Sequence, residues 1–151
     1  MSELQKTNFR LKNLGYVFQD YALLPELTAS ENIMLPLLML GIPAEKARSK
    51  TKRVLEKLGI GDKGSNLPSA LSGGEQQRVS IARAIVNKPE IIFADEPTAN
   101  LDDRTSLKIV DVFRELNSEG QTVVMVSHEP DIMPDIARIV SISQGRLVTD
   151  K

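Results

Sequence analysis

LSGGEQQRVSIARAIVNKPEIIFADEP, residues Leu71 to Pro97, contains a helix start, a helix and the strand that follows it. Ser72 with Glu75 three positions on is the capping-box pattern, and it predicts a helix from Ser72 to about Asn87. A strand is expected over Glu90 to Ala94, because Ile91, Ile92, Phe93 and Ala94 are apolar without alternation and Pro97 stops the run. Strands that are apolar on both faces belong to buried, parallel sheets. Asp95 and Glu96 therefore emerge at a carboxyl strand end, which is where open α/β sheets bind ligands.

Working outward, Leu14 to Phe18 suits a strand leading into Gln19, Asp20 and a loop with Pro25. Ser30 and Glu31 open a helix to about Leu40 that Pro36 should bend or split and Gly41 closes. Ala47, Val54, Leu55 and Leu58 recur at helical spacing among charged residues, so Pro43 to Leu58 reads as an amphipathic helix ending at Gly59. Gly61 to Pro68 is a polar loop. Beyond Pro97 come a helix over Asp103 to Ser118, a strand over Thr122 to Val126, a short segment near Asp131 to Ile136 and a strand over Arg138 to Ser143. A Gln144-Gly145 turn then makes an antiparallel hairpin with a last strand from Arg146. Alternating strands and helices predict an α/β fold with a mostly parallel sheet covered on both faces. No internal repeat or low-complexity run is present.

The chain has 151 residues, 41% of them hydrophobic, enough for one domain or part of one but not for two well-packed ones. Nineteen basic and 20 acidic residues leave a net charge of -1, so nothing draws the chain to nucleic acid or to an anionic membrane. The absence of cysteine rules out disulfides and thiolate metal sites and fits a reducing cytoplasm. MSELQKTNFR lacks the apolar core of a secretory signal. The apolar run Ile33 to Ile42, broken by Pro36 and Gly41, is far short of the roughly 20 residues that span a bilayer.

Each candidate site residue has a plain structural role beside a chemical one. Ser72 and Glu75 cap a helix, while Gly73 and Gly74 leave N–H groups and the positive dipole end facing outward, where a phosphate could sit. Asp95 is a candidate Mg²⁺ ligand, because hard cations take oxygen donors and magnesium keeps much of its water. Glu96 could act as general base on an attacking water. The single histidine, His128, follows the apolar strand Thr122 to Val126 and would lie beside Asp95 and Glu96, near a γ-phosphate. Gln19, past the first strand, could offer a neutral oxygen to Mg²⁺ or to water. TANLD, Thr98 to Asp102, is a polar turn in which Asp102 or the following Asp103 caps the next helix. A Gly-rich loop ending in Gly-Lys-Ser/Thr would complete a phosphate site, but no Gly-Lys pair occurs in the sequence.

The order of these pieces (glutamine loop, LSGGE, strand with Asp-Glu, Ala-Asn-Leu-Asp, histidine) resembles the nucleotide-binding domain of ATP-binding cassette (ABC) proteins, from about Glu3 to the C-terminus. YVFQDYALLPELTASENI, Tyr16 to Ile33, followed by LPLLMLGIP, Leu35 to Pro43, is most similar to cassettes of the macrolide-export and lipoprotein-release group. The resemblance implies a P-loop NTPase core, here incomplete, made of about residues 1–23 and 87–151, with an α-helical subdomain over about 24–86. It also implies ATP and Mg²⁺ as cofactors, a membrane-spanning permease and a second cassette as partners, no nucleic acid, and a place at the inner face of the membrane. Gln19 would be the glutamine that touches Mg²⁺ and senses the permease, and Asp95 the magnesium-associated acid. Glu96 would be the catalytic base and His128 the switch histidine. Ser72, Gly73, Gly74 and Gln76 would close over ATP held by the opposite subunit, with Ala99 to Asp102 as the inter-subunit loop.

Only 18 residues precede Gln19, so roughly a third of such a domain, including the phosphate loop with its lysine, has no counterpart. The triphosphate would then face Asp95 and Glu96 with little compensating positive charge. These 151 residues alone are expected to bind ATP weakly and not to turn it over. The strand Ile91 to Ala94 is expected to show an unpaired edge or altered packing, with marginal stability or self-association. Two other readings are a non-hydrolytic module that pairs with a full cassette or permease, and an ABC-type ATPase of DNA repair. The latter is disfavoured, since no sustained heptad run appears.

Overall fold

The computed structural model describes residues 1–128 and 138–150. Its first helix, α1 (Glu3–Asn13), lies in the stretch read above only as not being a signal. The Ser2 hydroxyl accepts from the Gln5 N–H while the Gln5 side chain accepts from the Ser2 N–H, a second capping box visible in the sequence as Ser-x-x-Gln. α1 buries no residue; the Asn87 amide on Leu11 O and the Glu90 N–H on Asn13 O tie down its end.

β1 (Leu14–Val17) follows directly, then α2 (Ala29–Met39) and α3 (Ala44–Lys57). Thr28, not Ser30, is the α2 cap, and Glu31 closes its box. Pro36 lies inside α2 without splitting it, and its carbonyl accepts from Leu40 N–H. The buried Asn32 side chain joins α2 to the preceding loop: Oδ1 accepts from Leu24 N–H, and Nδ2 donates to the carbonyls of Leu24, Leu27 and Thr28. Two 3-10 turns, Gly61–Lys63 and Pro68–Ala70, occupy the polar loop. α4 (Gly73–Ile85), β2 (Ile91–Asp95), α5 (Asp103–Ser118) and β3 (Thr122–Val126) come next.

β1, β2 and β3 form a parallel sheet in that order, with Val17 opposite Ala94 and Asp95 opposite Val126. The expectation of an unpaired edge on Ile91 to Ala94 is wrong. β2 is the central strand, so its backbone groups are satisfied from both sides, and the open edge on that side of the sheet belongs to β3. The expectation that both faces are covered also fails. Val17, Ile92 and Ala94 are buried, with Val123 and Met125 packed against the same core, whereas Tyr16, Val124 and Val126 on the opposite face are exposed. On that open face Tyr16 stacks on Phe18 and Phe93, with ring centroids 5.5 and 5.3 Å apart.

The core is continuous from the helices into the sheet: Ile33 and Leu37 of α2, Leu55 of α3 and Ile81 of α4 belong to the same cluster as Ile92, Ile109 and Phe113. β1 passes so close to α4 that a Cβ on Gly15 would lie 2.6 Å from the Ala84 carbonyl oxygen. β4 (Val140–Ser143) and β5 (Arg146–Asp150) form the expected antiparallel hairpin as a separate sheet. Gln144 and Gly145 both have positive φ, as a tight two-residue hairpin turn requires. The segment expected near Asp131 to Ile136 lies outside the described residues.

Candidate functional site

The carboxyl ends of the parallel strands bring several of the expected residues together. Asp95 ends β2 exposed, on the same face as Phe93. Glu96 leaves the strand with φ of 45°, a left-handed conformation that strains a non-glycine residue, while its N–H bonds Val126 O at 2.9 Å and so continues the pairing with β3. That geometry turns the Glu96 carboxylate toward the end of β3. Its Oε1 lies 2.8 Å from Nδ1 of His128, two residues beyond Val126. An ionised carboxylate can only accept, so the ring donates from Nδ1.

Gln19 lies exposed two residues beyond Val17, and its backbone carbonyl accepts from the Asn100 side chain at 2.9 Å. This bond joins the loop after β1 to the Thr98–Asp102 turn. The next residues of that loop, Tyr21 and Ala22, have φ of 64° and 47°. Arg83 of α4 reaches both, donating from Nη2 to Tyr21 O at 3.0 Å and from Nη1 to Ala22 O at 2.6 Å. Burial pushes the Arg83 pKa below the usual guanidinium value, opposed by the charge of Asp20.

The Leu71–Arg78 string builds the start of α4. Ser72 Oγ accepts from Glu75 N–H, the Glu75 carboxylate accepts from Ser72 N–H at 2.8 Å, and Lys63 sits 3.3 Å from Glu75. The Ser72 backbone and hydroxyl donors, then Lys63, hold the Glu75 carboxyl below its ordinary range, and the Glu75 bond raises Lys63. The capping role is therefore realised in full. The glycines have a further role in packing: a Cβ on Gly74 would meet Thr105 Cγ2 at 2.5 Å, and one on Gly73 would meet the Tyr21 hydroxyl at 3.0 Å. Gln76 folds back, its Nε2 donating to Leu71 O at 3.2 Å. Asp102 is the α5 cap, accepting from Thr105 N–H and from the Thr105 hydroxyl at 2.7 Å, and these bonds lower its pKa.

Gln77 and Arg83 escaped the sequence reading, and Asn100 was read only as part of the Ala99–Asp102 loop, without its bond to Gln19 O. Gln77 is fully buried and donates from Nε2 to Pro97 O at 2.7 Å. The available signal was a long polar side chain inside a helix whose neighbours Val79, Ile81 and Ala82 are apolar or small. Such a group needs a buried acceptor.

Residues 1–99 match the profile of the ABC transporter family. The chain is 45% identical over 146 residues to the macrolide export ATP-binding/permease protein MacB of Aggregatibacter actinomycetemcomitans, covering 97% of this chain and 23% of MacB. It is 44% identical over 147 residues to the lipoprotein-releasing system ATP-binding protein LolD of Aquifex aeolicus, covering 97% of this chain and 66% of LolD. The dimeric post-hydrolysis structure of the ATP-binding cassette MJ0796 with ADP and Pi superposes with a TM-score of 0.86 at 35% identity, over 100% of this chain and 67% of that one. The chain belongs to the ABC transporter family, and its α/β architecture is that of the cassette ATPases. It spans two thirds or less of the length of these curated relatives.

Proposed function

We propose that the chain is the ATP-binding part of an exporter-type ABC transporter. The Glu96–His128 pair beside Asp95, at the carboxyl edge of a parallel sheet, carries this reading. In it, Glu96 polarises the attacking water and His128 orients the γ-phosphate. With Nδ1 engaged by Glu96, the other ring nitrogen, Nε2, is the one left to face phosphate.

Among the described residues no cluster of three or more His, Asp or Glu side chains is arranged to cage a metal. Asp95 with Gln19 instead suits an ion that takes one or two protein oxygens and completes its shell with phosphate and water, the habit of Mg²⁺. Bound there, the ion would neutralise charge developing on the transferred phosphoryl oxygens. Residues 24–86 serve as the helical subdomain, and Ser72, Gly73, Gly74 and Gln76 face ATP held by a second cassette, with Asp102 in the inter-subunit loop. A membrane-spanning permease is the other partner, which places the assembled chain at the inner face of the membrane. No helix among the described residues is long and apolar enough to cross a membrane itself.

These 151 residues contain no Gly-Lys pair, so alone they hold ATP weakly and do not hydrolyse it. Their LSGGEQQR string, Leu71 to Arg78, the signature of the family, can still complete the site of a full cassette. A full cassette with its own Gly-Lys-Ser/Thr loop and an inactivating Glu→Gln change, mixed with this chain, should form an ATP-dependent mixed dimer by sedimentation. Ser72→Asp keeps an N-cap residue but sets a negative charge against phosphate; it should abolish the dimer, while a control Glu75→Gln, Ser72→Asp chain, relieved of the carboxylate pair that would otherwise face the cap at 2.9 Å, should fold and still not pair. Failure to associate, or equal association by the variant, would overturn the pairing. Leu38 and Met39, exposed near the end of α2, favour the related reading of a non-hydrolytic module docked on a permease.

A further inference from the structure

The strained backbone around Glu96 is held from three directions. Glu96 N–H bonds Val126 O of β3, Gln77 of α4 bonds Pro97 O at 2.7 Å, and the Ser106 hydroxyl of α5 bonds Thr98 O at 3.4 Å. Pro97 and Thr98 are buried, and Ala99 N–H returns to Glu96 O at 3.2 Å, so the turn is closed around these anchors. Gln77 is the anchor that comes from the signature helix, five residues after its Ser72 cap. It is fully buried, and its Oε1 has no hydrogen-bond partner. Packing alone would be served better by an apolar side chain of the same length, because an unmatched buried acceptor is unfavourable. What the amide provides that such a side chain does not is the single bond to the carbonyl adjoining Glu96.

We propose that Gln77 is a positioning residue: through its bond to Pro97 O it fixes the left-handed turn that presents Glu96 to His128, and it couples that turn to the start of the signature helix. This inference rests on the reading of Glu96 and His128 as a working pair. A shift of α4 as its N-terminus closes on a ligand would move the Pro97 carbonyl, and with it the Glu96 carboxylate.

The test uses the sole histidine as a reporter in the 151-residue chain. With isotope labelling, its ring nitrogen shifts are read in the wild type, Glu96→Gln, Gln77→Met and Gln77→Glu. Glu96→Gln sets the shift of a ring that has lost its carboxylate. Gln77→Met keeps length and volume but cannot donate, and it should move the Nδ1 signal most of the way to the Glu96→Gln value while backbone amide signals of β1 stay in place. Gln77→Glu, which opposes Pro97 O with an acceptor, should do the same or more. A purely structural role would lower the melting temperature and leave the His128 signal of the folded population at the wild-type position; that result overturns the proposal. If Glu96→Gln itself leaves His128 unmoved, the Glu96–His128 pair is what fails. If Glu96→Gln moves it and both Gln77 variants do not, the Gln77 role alone is lost.

Discussion

At the scale of single residues, Gly73 and Gly74 are fixed by contact as much as by any chemical role. Gly74 faces Thr105 so closely that an added methyl would sit 2.5 Å from Thr105 Cγ2, and the β-branched threonine has little rotamer freedom with which to retreat. Gly74→Ala should destabilise the chain by about 1–3 kcal/mol, as overpacking does. Thr105→Ser removes Cγ2 but keeps the hydroxyl bond to Asp102, so it should restore most of that loss in the double variant. Urea unfolding of the four chains measures the coupling, and additive effects would show that the contact is not the cause. The candidate site residues read from the sequence, Asp95, Glu96, His128 and the Ser72–Gly74 start, are short-range strings placed by one strand end or one helix cap. The bonds of Gln77, Arg83 and Asn100 were not legible because their partners are carbonyls 20, 62 or 61, and 81 residues away, and nothing in a carbonyl is written in sequence.

At the scale of elements, α2, α4 and α5 are started by carboxylate-bearing caps. Thr28 N–H and hydroxyl hold Glu31 below its ordinary value, Ser72 and then Lys63 hold Glu75, and the Thr105 hydroxyl and N–H hold Asp102. A carboxylate whose folded value is lowered adds stability that is complete above about pH 5 and is lost as the pH falls through the folded value. All three act in the same direction. The combined Glu31→Gln, Glu75→Gln, Asp102→Asn chain keeps side-chain acceptors at the caps, so its urea midpoint should fall only modestly at pH 7. Between about pH 5 and 3 it should vary less steeply than the wild type. An acid limb equal to the wild type's would remove the caps from the account. Helix starts were readable to within about two residues, since capping is local. α1 was missed although its Ser2–Gln5 box obeys the same rule, because an exposed helix without a buried face gives no hydrophobic period to find.

At the scale of the whole molecule, the sequence disclosed a parallel sheet but not which strand would lie open. Apolar strands announce burial, while neighbour order depends on crossovers, so among the described residues β2 proved central and the edges fell to β1 and β3. Tyr16, Val124 and Val126, with Phe93 stacked on Tyr16, leave an apolar patch exposed on one face of this sheet. The same three strands place Gln19, Asp95, Glu96 and His128 at one edge, where acidic and polar groups converge without a Gly-Lys-Ser/Thr loop in these 151 residues. Under the proposed function, this edge turns over nucleotide only when a cationic phosphate cradle is supplied from elsewhere. Steady-state Mg-ATP hydrolysis by the purified 151-residue chain, measured beside its Glu96→Gln variant, tests this most directly. Equal, background-level rates are expected for the two; robust turnover by the wild type that Glu96→Gln abolishes would show that this edge needs no such cradle.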